Sequence, residues 1–406
     1  MMIIADVMLC DINGQRACDI RVEEGKIMEV ASKIEGENRH SYKDCYLLPG
    51  LVDTNVRLQD TNLNSKNLDK LALNALKGGI STTVLMPDST PAVDNEIVLE
   101  FIQKHRKQKL GANIETAVAA TKEDETLSNI AIMLKRGALA PYMTTAVSNN
   151  IACRIAEYVK MYGATLFCKA QDSSLSSVGV MVEGKMATKL GLVGIPPLGE
   201  SVHVARMIEI ARHYNISIVF KSIASPRSIE MISKAKEEGV AVSCEVGLHH
   251  LLLSDASCEG FNTTAKLNPP LQQHEDMLRL QEALKNGHID MLSVLHQPSS
   301  PVNKDVAFFD AEYGSEAIEE ALPLYYTKLV KSGMITLQNV VSLCSVNPAL
   351  SIGKEKGEIK VGENINAVLF DPNDELHVNN RLSLYDGETL TGRVKIVFKN
   401  SKVIEL

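Results

Sequence analysis

The sequence has no CxxC pair and no regular cysteine spacing, although it contains eight cysteines. A disulfide framework or a cysteine-rich zinc site needs such spacing, so we expect the thiols to be reduced and to lie in the core. They are Cys10, Cys18, Cys45, Cys153, Cys168, Cys244, Cys258 and Cys344. A charged leader followed by an apolar stretch is also missing, and no apolar run approaches the ~18 residues of a membrane helix. These absences argue against secretion and membrane insertion and favour a cytoplasmic protein.

An excess of basic residues is missing as well, since 42 Lys and Arg stand against 50 Asp and Glu and give a net charge of -8. This balance argues against a nucleic-acid-binding surface. The composition that is present, 45% hydrophobic and 23% charged, is that of a globular protein and excludes a disordered chain, collagen or a coiled-coil rod. A length of 406 residues allows two domains, or one large α/β barrel with an appendage.

Both ends of the chain contain short β-rich stretches joined by turns. They are 3–9, 17–22 and 26–30 near the start and 357–360, 367–370 and 394–398 near the end, with turns predicted at Gly362, Asp371-Pro372 and Asn400. Neither group is large enough to bury a sheet face alone. We therefore predict one composite β domain built from residues 1–48 and 355–406.

Residues 49–354 show apolar strands that alternate with segments of helical periodicity. The strand candidates are 51–55, 81–86, 114–120, 140–144, 165–169, 217–222, 240–246 and 290–295. Helical candidates among them are 68–77, 96–107, 151–161, 202–214, 228–238 and 277–285. Eight consecutive βα units predict an α/β fold, a (β/α)8 TIM barrel bearing a small composite β-sandwich formed from both termini. Function in such a barrel lies at the C-terminal ends of the strands.

Several motifs in this order resemble the amidohydrolase superfamily and, within it, the dihydroorotases. They are LPGLVD at 48–53, GGISTTVLMP at 78–87, GIP at 194–196 with ES at 200–201, EVGLHHLLL at 245–253, LNPPL at 267–271, GSE at 314–316, ALPLYYT at 321–327, NPA at 347–349 and the segment 362–372. The resemblance covers nearly the whole chain. It implies a one- or two-zinc hydrolase that interconverts carbamoyl aspartate and dihydroorotate in pyrimidine synthesis, using metal-bound hydroxide to attack a poor electrophile.

The positions that carry zinc ligands in the family are substituted in this chain. The His-x-His motif is Asn55-Val56-Arg57, the strand-four segment 144–150 contains no carboxylate, and the ligands of strands five, six and eight align with Lys169, Ser222 and Leu295. An amide oxygen is a weak zinc ligand, and a guanidinium cannot coordinate a cation. We therefore expect no metal and no other cofactor.

Two positions that contact the substrate in the family also differ, because Gln59 replaces the carboxylate-binding arginine and Asp88 replaces an asparagine. Asn268 remains in the LNPPL motif, and His296 aligns with a residue that touches substrate in the family. His296 is therefore either a residual ligand-binding residue or a structural one. The pattern is that of a pseudo-dihydroorotase with a vestigial site at the barrel mouth and no catalytic residue.

Other charged groups give the mouth a second interpretation. Arg57, Lys169 and, less directly, Lys221 place positive charge where the family holds zinc, with Asp53 and Asp88 as possible partners. Buried charges need compensation, so these groups predict an internal salt-bridge cluster; the alternative is a site for a small carboxylate or phosphate. Two histidine motifs carry weaker expectations: His249-His250 should pack in the scaffold, and His203 should be solvated on a surface helix.

Three functions remain open on the sequence alone. Several bacteria contain a catalytically inactive dihydroorotase-like chain that assembles with aspartate carbamoyltransferase, and the resemblance implies such a structural or regulatory partner, with a homo-oligomer also possible. The second function is a metal-independent or residual cyclic-amide hydrolase that acts on dihydroorotate and carbamoyl aspartate through Lys169, His296 or an unassigned carboxylate. The third is an active dihydroorotase with an unconventional site.

Overall fold

The computed structural model describes residues 1–108, 111–144, 147–176, 178–354, 357–399 and 401–406. The turn predicted at Asn400 and residues Thr145 and Ala146 of the strand-four segment lie outside these ranges. The predicted domain boundary at 354–355 also adjoins residues outside them.

The strands occur at both ends of the chain and, between them, in regular alternation with helices. In chain order they are β1 (Met2–Asp11), β2 (Gly14–Glu23), β3 (Lys26–Ala31), β4 (Arg39–Ser41), β5 (Tyr46–Pro49), β6 (Leu51–Val56), β7 (Ile80–Leu85), β8 (Asn113–Thr116), β9 (Val118–Ala119), β10 (Pro141–Met143), β11 (Thr165–Lys169), β12 (Met181–Val182), β13 (Gly194–Ile195), β14 (Ser217–Lys221), β15 (Val242–Gly247), β16 (Met291–Ser293), β17 (Asn366–His377), β18 (Thr389–Lys399) and β19 (Lys402–Glu405).

The helices follow the barrel strands, and most of them bury one apolar face against the strands. They are α1 (Ser65–Lys77), α2 (Glu96–Gln108), α3 (Ile130–Lys135), α4 (Asn149–Tyr162), α5 (Lys185–Leu190), α6 (Leu198–Tyr214), α7 (Pro226–Glu237), α8 (Leu248–Leu252), α9 (His274–Lys285), α10 (Pro301–Lys304), α11 (Ala321–Tyr325), α12 (Leu337–Val341) and α13 (Asn347–Ser351). Single π-helical turns, Tyr326–Val330 and Ser342–Val346, extend α11 and join α12 to α13. In the part of the chain that the structure describes, no helix is both long and apolar enough to cross a membrane.

The two ends of the chain form a single sheet in the order β19-β18-β17-β5-β1-β2-β3, with β4 beside β1. This sheet curls back on itself, because the amide of Ile27 donates to the carbonyl of Glu363 at 2.9 Å and the amide of Ile365 donates to Gly25 at 2.7 Å. Apolar side chains from both termini share its core, among them Ile20, Leu47, Leu369 and Phe398.

Parallel strands form the barrel in the order β6-β7-β8 and β9-β10-β11-β14-β15-β16, with β16 against β6. All eight predicted strands are present, and the third is divided at Ala117 into β8 and β9. Side chains that alternate inward fill the interior, as expected for this fold. They include Val52, Val84, Met86, Tyr142, Phe167, Val219 and Met291.

Three local predictions were wrong. Residues 357–360 form no strand; they lie as an irregular segment in which Ile359 is buried and the Gly357 carbonyl accepts from Ile12. The turn predicted at Asp371-Pro372 is a register shift within β17, since a proline is tolerated in a strand at an irregularity. His203 is 1% exposed because it lies on the face of α6 that packs on the barrel.

Candidate functional site at the barrel mouth

A buried ion pair lies at the C-terminal ends of β14 and β15. The ammonium of Lys221, 1% exposed, pairs with the carboxylate of Glu245, 0% exposed, and also donates to the Thr54 hydroxyl at 2.8 Å. Thr54 in turn donates to Glu245 at 2.5 Å, and the ring of Phe167 lies 4.6 Å from the Lys221 nitrogen. Every proton of the ammonium therefore has an acceptor or an aromatic face, as a buried charge requires.

Asn55, at the first ligand position of the family, connects this pair to its neighbours. Its Nδ2 donates to Glu245 at 2.6 Å and to the Ser222 hydroxyl at 2.7 Å, and its Oδ1 accepts from Arg57 at 3.2 Å. Both amide atoms of Asn55 are thus committed to protein partners. The residue that replaces the first histidine of the family has become part of a hydrogen-bond network.

Arg57, at the second position of that motif, forms an ion pair with Asp88. Its Nε donates to Asp88 at 2.9 Å, and its Nη2 lies 2.8 Å from the same carboxylate oxygen. Burial lowers the pKa of the guanidinium, but the attraction of Asp88 outweighs it, so the pKa of Arg57 is raised above its usual value. Of the two carboxylates that the sequence suggested as partners of the cations, Asp88 therefore pairs with Arg57.

Asp53 closes the barrel rather than pairing with a cation. Its carboxylate accepts from the Ser293 hydroxyl at 2.7 Å and from the amides of Val294 and Asn55 at 3.0 and 2.9 Å. Burial, and then repulsion from Glu245, raise the pKa of Asp53 to about 6. The side chain therefore ties the first barrel strand to the last.

Lys169 has no hydrogen-bond or ion-pair partner among the described residues, unlike the other two cations of the mouth. Burial, and then repulsion from Arg57, lower the pKa of Lys169 to about 8. It lines a pocket together with Lys221, Ser222, Asn268, Gln272 and the carboxyl group of Glu200. This lysine is the cation of the mouth that remains available to a ligand.

The structure places the other expected site residues away from that pocket. Gln59 lies at the rim, where its Oε1 accepts from Lys70 at 3.2 Å. Leu295 is 8% exposed and has a positive φ of 47°, and a Cβ on Gly247 would lie 2.1 Å from its Cδ1. The backbone carbonyl of His296 accepts from the backbone amide of Arg57 at 2.8 Å.

The histidines near the mouth are buried and uncharged. Burial lowers the pKa of His296 and of His249 to about 3 and that of His250 to about 4. His249 hydrogen-bonds the Tyr385 hydroxyl at 2.9 Å, and His250 hydrogen-bonds the carbonyl of Pro269 at 2.9 Å. The contacts of His249 and His250 and the burial of His296 support a structural role for these three residues. His203 is also buried, and its Nε2 lies 3.2 Å from the sulfur of Cys168.

The donor set at the strand ends does not fit a divalent cation. Zinc needs several neutral imidazoles or carboxylates that converge on one point, whereas the inward positions here carry the ammonium of Lys221 and the guanidinium of Arg57. The carboxylates of Glu245 and Asp88 are each committed to one of these cations. Within the described ranges, no group of three His, Cys, Asp or Glu side chains is arranged to hold a metal.

Glu245 is the important residue that sequence reasoning did not assign to the site. It is the first residue of the EVGLHHLLL motif, which supports the family resemblance but assigns no role to this carboxylate. The alternation of β15 contained the signal, because Val242, Cys244 and Val246 face the helices, so Glu245 between them must face the barrel interior. A carboxylate at the inner end of a barrel strand needs a cation, and Lys221 lies at the end of the adjacent strand.

Replacing Lys169 by methionine should stabilise the protein by about 1–3 kcal/mol at pH 7, because the charged amine is desolvated without a partner. The folded-state pKa of about 8 lies below the usual value, so the unfolded chain binds more protons above that pH. The free energy of unfolding of the wild-type protein should therefore rise between about pH 8 and pH 10. The difference in this free energy between Lys169→Met and the wild type should become smaller over the same range. Urea unfolding at both ends of this range, with exposed Lys185→Met as the control, measures the difference; a constant deficit would contradict the assignment.

Known proteins resemble this chain in both sequence and fold. The family model described as Dihydro-orotase-like matches residues 45–223. A dihydroorotase of Acetivibrio thermocellus is 33% identical, covering 97% of this chain and 95% of that protein, and one of Elusimicrobium minutum is 34% identical, covering 94% and 91%.

Solved structures agree on the architecture. The L-hydantoinase (dihydropyrimidinase) of Arthrobacter aurescens superposes with a TM-score of 0.86 at 22% identity, over 100% of this chain and 96% of its own. This likeness supports a TIM barrel with a β-sandwich. With relatives above 30% identity along almost the full length, the chain belongs to the dihydroorotase-like family of amidohydrolases.

Proposed function

We propose that this protein is a non-catalytic member of its family, which acts in pyrimidine synthesis as a structural or regulatory partner of aspartate carbamoyltransferase. The observation that carries the proposal is the buried Lys221–Glu245 pair, which Asn55 connects to Ser222; the zinc ligands of the family align with Asn55 and Ser222. A buried cation of this kind repels a divalent metal ion, and its carboxylate partner is already committed. The scaffold is retained in full while the chemistry that metal-bound hydroxide supplies is lost.

The bonding of the substituted residues supports a role that depends on the scaffold rather than on turnover. The substituted positions do not leave a disordered cavity, because Asn55 and Arg57 are bonded to Glu245 and Asp88. Two of the lost ligand positions, Asn55 and Arg57, are therefore tied into a polar network, whereas Lys169 at a third lines a pocket without a partner among the described residues.

Co-expression with the aspartate carbamoyltransferase of the same cell should yield a complex that elutes as one peak in size-exclusion chromatography. Both chains should be present in a fixed ratio, because a structural subunit associates stoichiometrically. An active dihydroorotase of the family, co-expressed in the same way, serves as the control for nonspecific association. Separate elution at micromolar concentrations of both proteins would contradict the proposed partnership.

A metal-independent cyclic-amide hydrolase is the alternative, and the specific observation in its favour is Lys169. An amine with a pKa of about 8 in a pocket meets one requirement of a general base. His296, the other candidate, is buried and bonded through its Nδ1 to the Ala317 amide at 3.4 Å. Release of carbamoyl aspartate from dihydroorotate by the wild-type protein, but not by Lys169→Met, would favour the hydrolase over the partner.

A further inference from the structure

The pocket beside Lys169 contains a set of polar groups that the proposed partnership does not use. It opens between the ends of β11 and β14, the start of α6 and the segment after α8. Its polar lining comes from Lys169, Lys221, Ser222, Asn268 and Gln272, and from the carboxyl group of Glu200, whose two oxygens already accept from backbone amides. Gln59 and Asp88 align with residues that contact the substrate in the family, but neither lines this pocket. Gln59 is bonded to Lys70, and Asp88 is bonded to Arg57. The pocket must therefore be judged on its own residues.

Hydrogen-bond donors in this pocket lack acceptors. The ammonium of Lys169 has none among the described residues, and the Ser222 hydroxyl accepts from Asn55 at 2.7 Å, which leaves its own proton free to donate. The side-chain amide of Asn268 likewise has no partner in the part of the chain that the structure describes. Three donors, one of them charged, thus meet in one concave site, which is the arrangement that binds an anion.

One lining residue adds an acceptor. Gln272 is 4% exposed, its Nε2 donates to the carbonyl of Pro270 at 2.8 Å, and its buried Oε1 has no hydrogen-bond partner among the described residues. A buried amide oxygen without a partner costs about 1–3 kcal/mol, so a ligand N–H or O–H that reached it would be favoured. The start of α7 does not compete for an anion, because Glu200 already accepts from the amides of Ala224 and Ser225.

We propose that this pocket binds a small anion that also carries a hydrogen-bond donor, with Lys169 holding the charge and Gln272 accepting from the donor. Hydrogen phosphate and carboxylates that carry an amide or ureido N–H share this chemistry. The proposal goes beyond the structural partnership and does not depend on it, since a subunit without turnover can still sense a ligand. Anion binding could be measured even if the protein did not associate with aspartate carbamoyltransferase, and the association could be measured even if no anion bound.

Calorimetry on the wild-type protein at pH 7, with inorganic phosphate and with sulfate, tests both halves of the proposal. The two ions have the same shape, but sulfate has no proton to give to Gln272, so it should bind about tenfold more weakly than phosphate. Lys169→Met should weaken phosphate binding at least about tenfold, and exposed Lys185→Met should leave it unchanged. Parallel titrations with carbamoyl aspartate and uridine monophosphate show whether the anion comes from a carboxylate or a phosphorylated molecule.

A second measurement needs no substitution and so does not depend on a variant that folds. Trace acetylation of the wild-type protein, followed by peptide mass spectrometry, reports the reactivity of Lys169 relative to Lys185. Saturating inorganic phosphate should slow the acetylation of Lys169 and leave that of Lys185 unchanged. No saturable binding of any of the four probes up to about 10 mM, or equal phosphate binding by wild type and Lys169→Met, would overturn the site. Equal binding of phosphate and sulfate would overturn the role of Gln272.

Discussion

Replacing Glu245 by glutamine should lower the free energy of unfolding by about 3–5 kcal/mol, because it leaves the ammonium of Lys221 buried without a counter-charge. Both side chains are almost completely buried, at 1% and 0% exposure, so water cannot compensate. Burial already lowers the pKa of Lys221, and Glu245 is the main group that opposes this shift. Urea denaturation at pH 7 measures the loss.

A double-mutant cycle separates the pair from its surroundings. Lys221→Met alone should also destabilise, but the double variant Lys221→Met with Glu245→Gln should lose less than the sum of the single changes, because neither buried charge then remains. The exposed pair Lys77–Glu319 is the matched control, and its removal should cost about 0.5 kcal/mol or less. Strict additivity at Lys221 and Glu245 would show that the two groups do not interact as the structure indicates.

Independence from zinc is the second large effect that we expect. Metal-dependent hydrolysis uses hydroxide activated by the metal, and removing that nucleophile costs several orders of magnitude in rate. Protein purified from zinc-supplemented medium should therefore contain well under about 0.1 zinc ion per chain, and a chelator should leave its melting temperature unchanged. An active, zinc-containing dihydroorotase treated in parallel is the control for both readings.

Restoring the two ligands of the first motif should not restore zinc binding. Asn55→His with Arg57→His recreates the first motif of the family, but the Lys221–Glu245 pair still occupies the strand ends. We expect zinc binding only when Lys221 is also changed to a neutral residue, because its charge would otherwise oppose the metal ion. Zinc uptake by the double histidine variant alone would contradict this reading of Lys221.

The barrel could be predicted from the sequence because its strands are buried on both faces and its helices bury one. Runs such as Thr165–Lys169 have few alternatives to a parallel strand, and the structure reproduces their bounds closely. The failures occurred where local pattern did not determine packing. His203 looked polar and therefore exposed, but the neighbouring apolar positions of α6 turn its face toward the barrel.

The candidate site was predicted in part. The sequence suggested Asp53 and Asp88 as possible partners of the cations without assigning either one, and the structure pairs Asp88 with Arg57. Glu245 was missed because its partner is distant in the sequence, and only the alternation of β15 places it inside. Which cation lacks a partner, Lys169 and not Lys221, depends on the positions of Glu245 and Thr54 and could not be read from composition or spacing.

Turnover of dihydroorotate by the purified wild-type protein, in buffer supplied with zinc, is the direct test of the proposal that this family member is non-catalytic. We expect a rate indistinguishable from that of buffer, because the mouth holds the buried Lys221–Glu245 pair and the partly exposed Arg57–Asp88 pair instead of metal ligands. A rate that rises with zinc, reaches that of an active family member and disappears with a chelator would contradict it.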